Sequence, residues 1–283
     1  MSSAVTVEGL QKTYGKVEAV RGVSFEIEVG EVFGLLGPNG AGKTSTVEIL
    51  EGYRDRDAGH VEVLGADPAT AGAAWRERIG VVLQSGSLYA QLTVVEILRL
   101  FGGYYERPRD LDEVIGIVGL EEKRSQRVHT LSGGQKRRLD FGLALVGDPE
   151  LVFLDEPTTG FDPEARRRAG ETIRSLRDLG KTILLTTHYL DEAERLCDRV
   201  AVLRDGKIAA LGRPGELTGA LPPTEIRYRR NGKEVVVHTE EPTRVLNELT
   251  AEALRNGVEL EALEVRRPSL EDVYLSLTQE RTE

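Results

Sequence analysis

A glycine-rich loop with a lysine and a threonine lies early in the chain, and it is the segment best suited to chemistry. Its residues are Gly37, Pro38, Asn39, Gly40, Ala41, Gly42, Lys43 and Thr44. The glycines let backbone N–H groups turn inward around phosphate oxygens, while Lys43 adds a cation and Thr44 a hydroxyl ligand for Mg²⁺. A plain glycine-rich turn would not need Lys43 and Thr44 at these positions. The loop therefore predicts a site for a nucleoside triphosphate.

Two neighbouring acids, Asp155 and Glu156, follow an apolar run at residues 151–154. Nucleotide hydrolysis needs an Mg²⁺ bridge, a positioned water and neutralisation of the charge on the transferred phosphoryl group. Asp155 is the natural magnesium partner of Thr44, and Glu156 is placed to orient or deprotonate the attacking water. The alternative, an exposed acidic strand end, does not account for the glycine loop in the same chain.

Two more polar residues come directly after short apolar runs. His188 follows Thr186 and Thr187, and we expect it to contact the γ-phosphate, although a lone histidine is commonly a buried core residue. Gln84 either ligates Mg²⁺ or a water, or simply closes the end of its strand. The functional alternative is favoured because a helical pattern follows Gln84, so that a phosphate sensor there would move that helical segment.

A second glycine-containing loop precedes a helical pattern in the middle of the chain. Its residues are Leu131, Ser132, Gly133, Gly134 and Gln135. A loop at a helix N-terminus can receive an anion. Because one phosphate loop is already complete, we infer that the second loop serves the nucleotide of a neighbouring copy. Two chains in twofold symmetry would then enclose two nucleotides.

The reactive residues require a framework of parallel strands. Short apolar runs at residues 32–36 and 151–154, and a similar run at 182–187 that begins and ends with threonine, are typical of strands buried on both faces. Residues 164–179 form a crossover helix between the last two of them. Ligands bind at the carboxyl edge of such sheets. The pattern therefore predicts an α/β fold with the glycine loop, Glu156 and His188 at one edge.

Other segments surround this sheet. Residues 6–10 and 20–29 alternate as half-buried antiparallel strands. Between them lies Tyr14, which either stacks on a base or packs in the protein, and its spacing does not decide. Helical periodicity after Thr93 predicts a helical subdomain at about residues 85–147 within a nucleotide-binding domain of residues 1–217.

The last part of the chain has its own pattern. Residues 218–223, with a glycine and paired prolines, resemble a linker. The sequence predicts a hairpin around Asn231–Gly232, followed by two helices with a strand between them. We therefore expect residues 218–283 to form a small α/β accessory domain.

Composition narrows the classes of partner. The formal net charge of −10 disfavours a nonspecific nucleic-acid binder, and no nucleic-acid partner is expected. Cys197 is the only cysteine, so no intrachain disulfide can form. The N-terminus lacks the pattern of an export signal, and no run is long and apolar enough to span a membrane. These features fit the cytoplasm, with any membrane role exerted through a partner.

From about residue 5 to residue 217, the order of these motifs resembles that of the ATP-binding-cassette (ABC) ATPases. The signature Leu131–Ser132–Gly133–Gly134–Gln135 is nearly diagnostic, whereas the phosphate loop alone fits many nucleotidases. The resemblance implies ATP and Mg²⁺ as cofactors. It also implies roles for four residues: adenine stacking by Tyr14, an α-phosphate contact by Ser45, magnesium binding and coupling by Gln84, and a dimer-interface position for Asp162. Phe161 stands where the family usually has leucine.

The tail at residues 268–274 is similar to that of drug- and antibiotic-exporter ATPases of the daunorubicin-resistance type. This likeness implies two copies of the chain beneath a separately encoded membrane permease, on the cytoplasmic side of the membrane. ATP would close the two copies and hydrolysis would reopen them. The alternatives are an importer ATPase, a soluble cassette that does not transport, and a regulatory subunit that does not hydrolyse, against which Glu156 and His188 argue.

Overall fold

The computed structural model describes residues 2–82, 89–219, 223–230 and 232–279, and it divides the chain into two compact units. The first unit comprises residues 1–211 and the second residues 212–283. The boundary expected from the sequence lies after residue 217, within a helix that the structure assigns to the second unit.

The first unit supplies nine strands and seven helices among the residues described. In chain order the strands are β1 (Ser3–Tyr14), β2 (Val17–Glu28), β3 (Val32–Leu36), β4 (Ala58–Val63), β5 (Ile79–Val82), β6 (Leu151–Asp155), β7 (Thr182–Thr187), β8 (Arg199–Arg204) and β9 (Lys207–Gly212), the last of which ends at the boundary. The helices are α1 (Lys43–Leu50), α2 (Ala73–Arg76), α3 (Val94–Gly102), α4 (Leu111–Ile117), α5 (Gly133–Leu145), α6 (Pro163–Asp178) and α7 (Leu190–Leu196). Short 3₁₀ turns lie at Glu121–Lys123 and Val128–Thr130.

A six-stranded sheet in the order β5-β6-β7-β3-β8-β9 forms the centre of this unit. Strand β7 pairs in parallel with β6 and with β3, matching Thr186 to Asp155 and Thr187 to Leu36. The three strands therefore end at nearly the same level, as expected from their continuous apolar runs. The chain that leaves each of them enters one shared edge of the sheet.

A smaller antiparallel sheet, in the order β2-β1-β4, packs against the central one. The rings of Phe25 on β2 and Phe33 on β3 stack with centroids 5.2 Å apart. Both β1 and β2 are longer than the alternating pattern predicts, because pairing continues through polar positions. Val29 lies outside β2 and is 59% exposed, since the chain turns at Gly30, where φ is +80°.

Helices α3, α4 and α5 form the part of the chain that the sequence assigns to the helical insertion. Thr93 and Glu96 cap α3 reciprocally, and Asp110 caps α4 through two backbone N–H groups. At Gly142 on α5, an added Cβ would lie 3.4 Å from Leu98 on α3 and from Val114 on α4. The absence of a side chain at this glycine lets the three helices approach closely.

Among its described residues, the second unit has a three-stranded antiparallel sheet and three helices. Its elements are α8 (Pro214–Gly219), β10 (Thr224–Arg230), β11 (Lys233–Thr239), α9 (Pro242–Arg255), β12 (Glu261–Arg266) and α10 (Leu270–Gln279), and the strand order is β11-β10-β12. Its fully buried side chains include Ile226, Tyr228 and Leu270. The prediction of a linker at residues 218–223 is wrong for Thr218 and Gly219, which are the last two residues of α8. An acidic residue in the first turn of α8 and the hydrogen bond from the Thr218 hydroxyl to the Gly215 carbonyl support the helix there.

Candidate functional site

The glycine-rich loop joins β3 to α1, and two of its glycines are required by close backbone contacts. Gly42 has a φ of +103°, and a Cβ there would lie 2.4 Å from the carbonyl oxygen of Ala19. A Cβ on Gly37 would lie 2.4 Å from the carbonyl oxygen of Leu203. Both distances are shorter than any tolerable contact, so that only glycine gives this loop its shape. A loop shaped in this way exposes backbone N–H groups as a phosphate cradle does.

Lys43 is the first residue of α1 and is 5% exposed. Its Nζ donates to the carbonyl oxygens of Gly37 at 2.8 Å and Pro38 at 3.2 Å, and it lies 3.7 Å from Oε1 of Glu156. Burial lowers the pKa of Lys43, while the charges of Glu156 and Asp155 act in the opposite direction. The ammonium group is thus held inside the loop and close to the carboxylate expected to activate water.

Glu156 is the residue directly after β6, and its backbone is strained. Its φ is +43°, in the left-handed region that non-glycine residues rarely adopt, and Pro157 follows. The backbone N–H donates to the hydroxyl of Thr186 at 2.9 Å and to the Thr186 carbonyl at 3.2 Å. Strain of this kind costs roughly 1–3 kcal/mol and persists only where the surroundings fix it. The two bonds to Thr186 supply part of that fixation.

His188 lies beside Glu156, as the shared sheet edge predicts. Its Nδ1 is 3.4 Å from Oε2 of Glu156, and its side chain is 38% exposed. The hydroxyl of Thr159 donates to the same Oε2 at 3.0 Å. Lys43 and His188 thus approach the two carboxylate oxygens of Glu156 from different sides.

Asp155 and Thr44 are the two expected magnesium ligands that lie within the described residues. Oδ1 of Asp155 accepts from the Thr186 hydroxyl at 2.6 Å. Within the part of the chain that the structure describes, neither Oδ2 of Asp155 nor the Thr44 hydroxyl has a hydrogen-bond partner. A carboxylate and a hydroxyl oxygen suit Mg²⁺. These residues therefore fit the ion, whereas Gln84, the third expected ligand, lies outside the described residues.

Tyr14, the last residue of β1, has a partly exposed ring. Its hydroxyl donates to Oγ of Ser45 at 3.2 Å, which connects the two residues that the resemblance assigns to adenine and α-phosphate. The Arg54 guanidinium lies 5.2 Å and the Lys12 ammonium 5.6 Å from the ring centroid. At 38% exposure the ring is not a core residue, so it remains accessible for stacking on a base.

The second glycine-containing loop caps α5. The Ser132 hydroxyl accepts from the Gln135 N–H, and the Gln135 side chain accepts from the Ser132 N–H at 2.9 Å. This loop lines a cleft of about 470 Å³ together with Asp162, which caps α6, and Phe161. Among the described residues that line the cleft, none belongs to the glycine-rich loop, and neither Glu156 nor His188 is among them.

Arg137 is a site residue that the sequence analysis missed. It lies on α5 and is 7% exposed, and its guanidinium donates to the carbonyl oxygens of Pro157 at 2.9 Å and Asp155 at 3.2 Å. The helix that begins at the second loop is therefore bound to the backbone on both sides of Glu156. No sequence signal indicates this, because arginines are common on helices that begin with a polar loop.

Comparison with known proteins gives consistent matches. The family model described as "ABC transporter" matches residues 20–159, and one described as "ABC transporter domain-containing protein-like, C-terminal domain" matches residues 214–269. The chain is 36% identical to the linearmycin resistance ATP-binding protein LnrL of Bacillus subtilis, over 96% of this chain and 97% of that relative. It is 41% identical to the Nod factor export ATP-binding protein I of Rhizobium sp. (strain N33), over 97% of each chain.

A solved structure described as the ATP-binding subunit of an ABC transporter aligns with a TM-score of 0.72 at 25% identity, over 98% of this chain and all of that one. As for membrane spans, the described residues contain no helix with the length and apolar character needed to cross a bilayer.

Proposed function

This chain belongs to the ABC transporter family, and from that premise we propose that two copies of it use ATP to drive a separate membrane permease exporting drugs, antibiotics or other hydrophobic compounds. Membership of this family, together with the two exporter relatives, gives the activity. The chain is the ATP-binding and ATP-hydrolysing subunit of an exporter. The expectations of an ABC ATPase, of an α/β cassette fold and of export are therefore confirmed, and an importer or a cassette without transport is not favoured.

The proposed cargo class rests on the two relatives. One is described by resistance to linearmycin and the other by export of Nod factor. Their identities of 36% and 41% extend over nearly the whole of this chain, including the second unit. We therefore assign this chain to the export of an antibiotic or another hydrophobic compound, whose identity is set in the permease.

In the proposed reaction, each group of the site has one task. The glycine-rich loop and Lys43 bind the phosphates, and Tyr14 stacks on adenine. Glu156 accepts the proton of the attacking water, while His188 contacts the γ-phosphate. Mg²⁺, held by Thr44, Asp155 and Gln84, would supply charge neutralisation on the phosphates. The distances of 3.7 Å from Lys43 and 3.4 Å from His188 to Glu156 support this division of tasks.

One observation carries the proposal that two copies act together. The cleft formed by the second loop and Asp162 shares no lining residue with the glycine-rich loop among the residues described. Because the Ser132 loop lies at the N-terminus of a 13-residue helix, it favours an anion. We therefore place the γ-phosphate of a second copy in this cleft, with Asp162 at the dimer interface.

The proposed location of this chain in the cell depends on its proposed membrane permease. The similar solved structure is described as the ATP-binding subunit of an ABC transporter. Such a subunit needs a membrane component to move cargo. We propose that this chain lies on the cytoplasmic side of the membrane, bound to that permease.

Mixing two inactive variants tests whether the second loop acts on the partner's nucleotide. Lys43→Ala removes the phosphate-binding cation. Ser132→Asp keeps an N-cap residue but places a negative charge where the partner's phosphate would bind. A mixed dimer would have one site with both lesions and one intact site, so we expect the mixture to regain roughly one quarter of wild-type turnover.

The matched control is Ser132→Asn, which caps α5 without adding charge and is expected to keep most of the activity. If the mixture stays as inactive as each variant alone, although both bind to each other, the second loop acts within its own chain. The two-copy arrangement would then be wrong, whereas the family and the ATPase activity would stand.

A further inference from the structure

Glu192 is a buried carboxylate on α7 with no role in the reaction described above. Its side chain is 2% exposed. One oxygen, Oε2, accepts hydrogen bonds from the Thr187 hydroxyl at 2.9 Å and from the Thr158 hydroxyl at 3.0 Å. Burying a carboxylate costs free energy, and the two hydroxyl donors offset part of that cost. Because both hydroxyls donate to the same oxygen, Glu192 forms a junction that holds Thr187 and Thr158 together.

The two hydroxyls come from the segments that carry the reacting groups. Thr187 is the last residue of β7 and directly precedes His188, and its Oγ1 also accepts from the Tyr189 N–H at 3.0 Å. The chain is thus held on both sides of His188. Thr158 lies two positions after Glu156, and its neighbour Thr159 donates to Oε2 of Glu156 at 3.0 Å.

The two oxygens of the Glu192 carboxylate have different surroundings. Burial raises the pKa of Glu192, while the hydrogen bonds from Thr187 and Thr158 and, after them, the positive charge of Arg166 act in the opposite direction. The Arg166 guanidinium itself stacks 4.0 Å above the ring centroid of Tyr189. The other oxygen of Glu192, Oε1, is buried with no hydrogen-bond partner among the described residues. Among the described residues, every hydrogen bond to the Glu192 side chain is therefore accepted by Oε2.

We propose that Glu192 is a positioning residue that sets the distance between His188 and Glu156 by holding Thr187 and Thr158 on one oxygen. The inference rests on the proposed roles of His188 and Glu156 in hydrolysis. It predicts that Glu192 affects turnover without contacting the nucleotide. A change of about 1 Å in the placement of a reacting group can reduce a rate by about 100-fold, so a small shift at this junction suffices.

Threonine-to-valine variants test the junction with little change in volume. Thr158→Val removes one donor to Oε2, and Thr187→Val removes the other donor together with the acceptor of the Tyr189 N–H. We expect each to lower kcat by about 10- to 100-fold while KM for ATP changes less than about twofold. Glu192→Gln keeps a carbonyl oxygen that can accept both hydroxyls, and we expect its kcat to stay within about threefold of wild type. Glu194→Gln, on the exposed side of α7, is the matched control.

A spectroscopic measurement separates positioning from a general loss of stability. The chain has four histidines, so that His188 can be followed by NMR on histidine-labelled full-length protein and assigned with His188→Gln. We expect the His188 ring resonances to shift in Thr187→Val and Thr158→Val and to stay in place in Glu192→Gln and Glu194→Gln. A structural role alone would lower the free energy of unfolding without moving that resonance selectively.

Two results would overturn the inference. One is an unchanged His188 resonance in both valine variants together with wild-type kcat. The other is a parallel loss of kcat and nucleotide affinity with no selective shift at His188. Glu156→Gln distinguishes this failure from failure of the proposed function: if that variant is inactive while both valine variants are normal, only the role of Glu192 is wrong.

Discussion

The ammonium of Lys43 and the carboxylate of Glu156 lie 3.7 Å apart, with side chains only 5% and 12% exposed. Solvent screens such a pair weakly, so the negative charge of Glu156 favours the charged form of Lys43 and acts against the lowering of its pKa by burial. A phosphate entering the glycine-rich loop must share Lys43 with Glu156. The lysine proposed to bind the nucleotide and the carboxylate proposed to activate water are therefore electrostatically coupled.

Replacing Glu156 with glutamine should separate nucleotide binding from turnover. Loss of the base is expected to lower kcat by about 10²- to 10⁴-fold. Removing its negative charge frees Lys43 for the phosphate, so we expect Kd for ATP to fall by up to about tenfold, equivalent to about 1.4 kcal/mol. Turnover is measured by phosphate release and affinity by a fluorescent ATP analogue. With ATP, the variant should elute as a dimer in size-exclusion chromatography.

Glu171→Gln, an exposed change in the middle of α6 and outside the cleft lined by Asp162, is the control and should leave both quantities unchanged. A Glu156→Gln protein that stays monomeric and hydrolyses ATP at the wild-type rate would contradict the role given to this carboxylate.

The two close-packed glycines make a second prediction. In Gly42→Ala, the new Cβ would lie 2.4 Å from the Ala19 carbonyl oxygen, so the loop must deform and ATP binding should be lost. Gly30→Ala is the matched control because Gly30 lies outside the loop, also has a positive φ, +80°, and has no neighbouring atom within 4 Å of an added Cβ. It adds only the strain of the left-handed conformation, about 1 kcal/mol. Wild-type ATP affinity in Gly42→Ala would show that the loop tolerates a Cβ at this contact with Ala19.

The sheet edge was predictable because three continuous apolar runs end at polar residues. Strand β7 was predicted at residues 182–187 and is found there. The contacts that fix the site were not predictable, because Arg137 bonds to Pro157, 20 residues away in the sequence, and Glu192 to Thr158, 34 residues away. Their residue types do not reveal such partners. The Thr186–Thr187 pair at the end of a buried strand was the one visible signal, since buried hydroxyls need partners.

Thr186 is the basis of a third prediction. Its hydroxyl donates to Asp155 and accepts from the backbone N–H of Glu156. Thr186→Val removes both bonds with little change in shape, and we expect it to lower the free energy of unfolding by roughly 1–3 kcal/mol. It should also lower kcat, because the strained conformation of Glu156 loses a support.

Thr186→Ser keeps the hydroxyl and should restore kcat to near the wild-type value. Urea unfolding and steady-state ATPase assays measure the two effects. A Thr186→Val protein with wild-type kcat but reduced stability would restrict the role of this hydroxyl to folding.

A fourth prediction concerns how stability depends on pH. Glu51, at the end of α1, has an Oε1 that is buried without a hydrogen-bond partner among the described residues. Burial, and then the negative charges of Asp155 and Glu48, raise its pKa to about 8 from the ordinary 4.5. Between these values the folded protein binds a proton that the unfolded chain has released. The free energy of unfolding should therefore fall as pH rises through this window, by up to about 1.4 kcal/mol per pH unit.

Glu51→Gln removes this titration, so its free energy of unfolding should depend less on pH between 5 and 8 and exceed that of the wild type at pH 8. Trp75 is the only tryptophan and is 6% exposed within the first unit, so its fluorescence in urea reports the unfolding of that unit. The measurement is made without nucleotide and with EDTA. Glu62→Gln, an exposed change on β4, should keep the wild-type pH dependence. Parallel curves for Glu51→Gln and wild type would mean that Glu51 stays ionised in the folded protein.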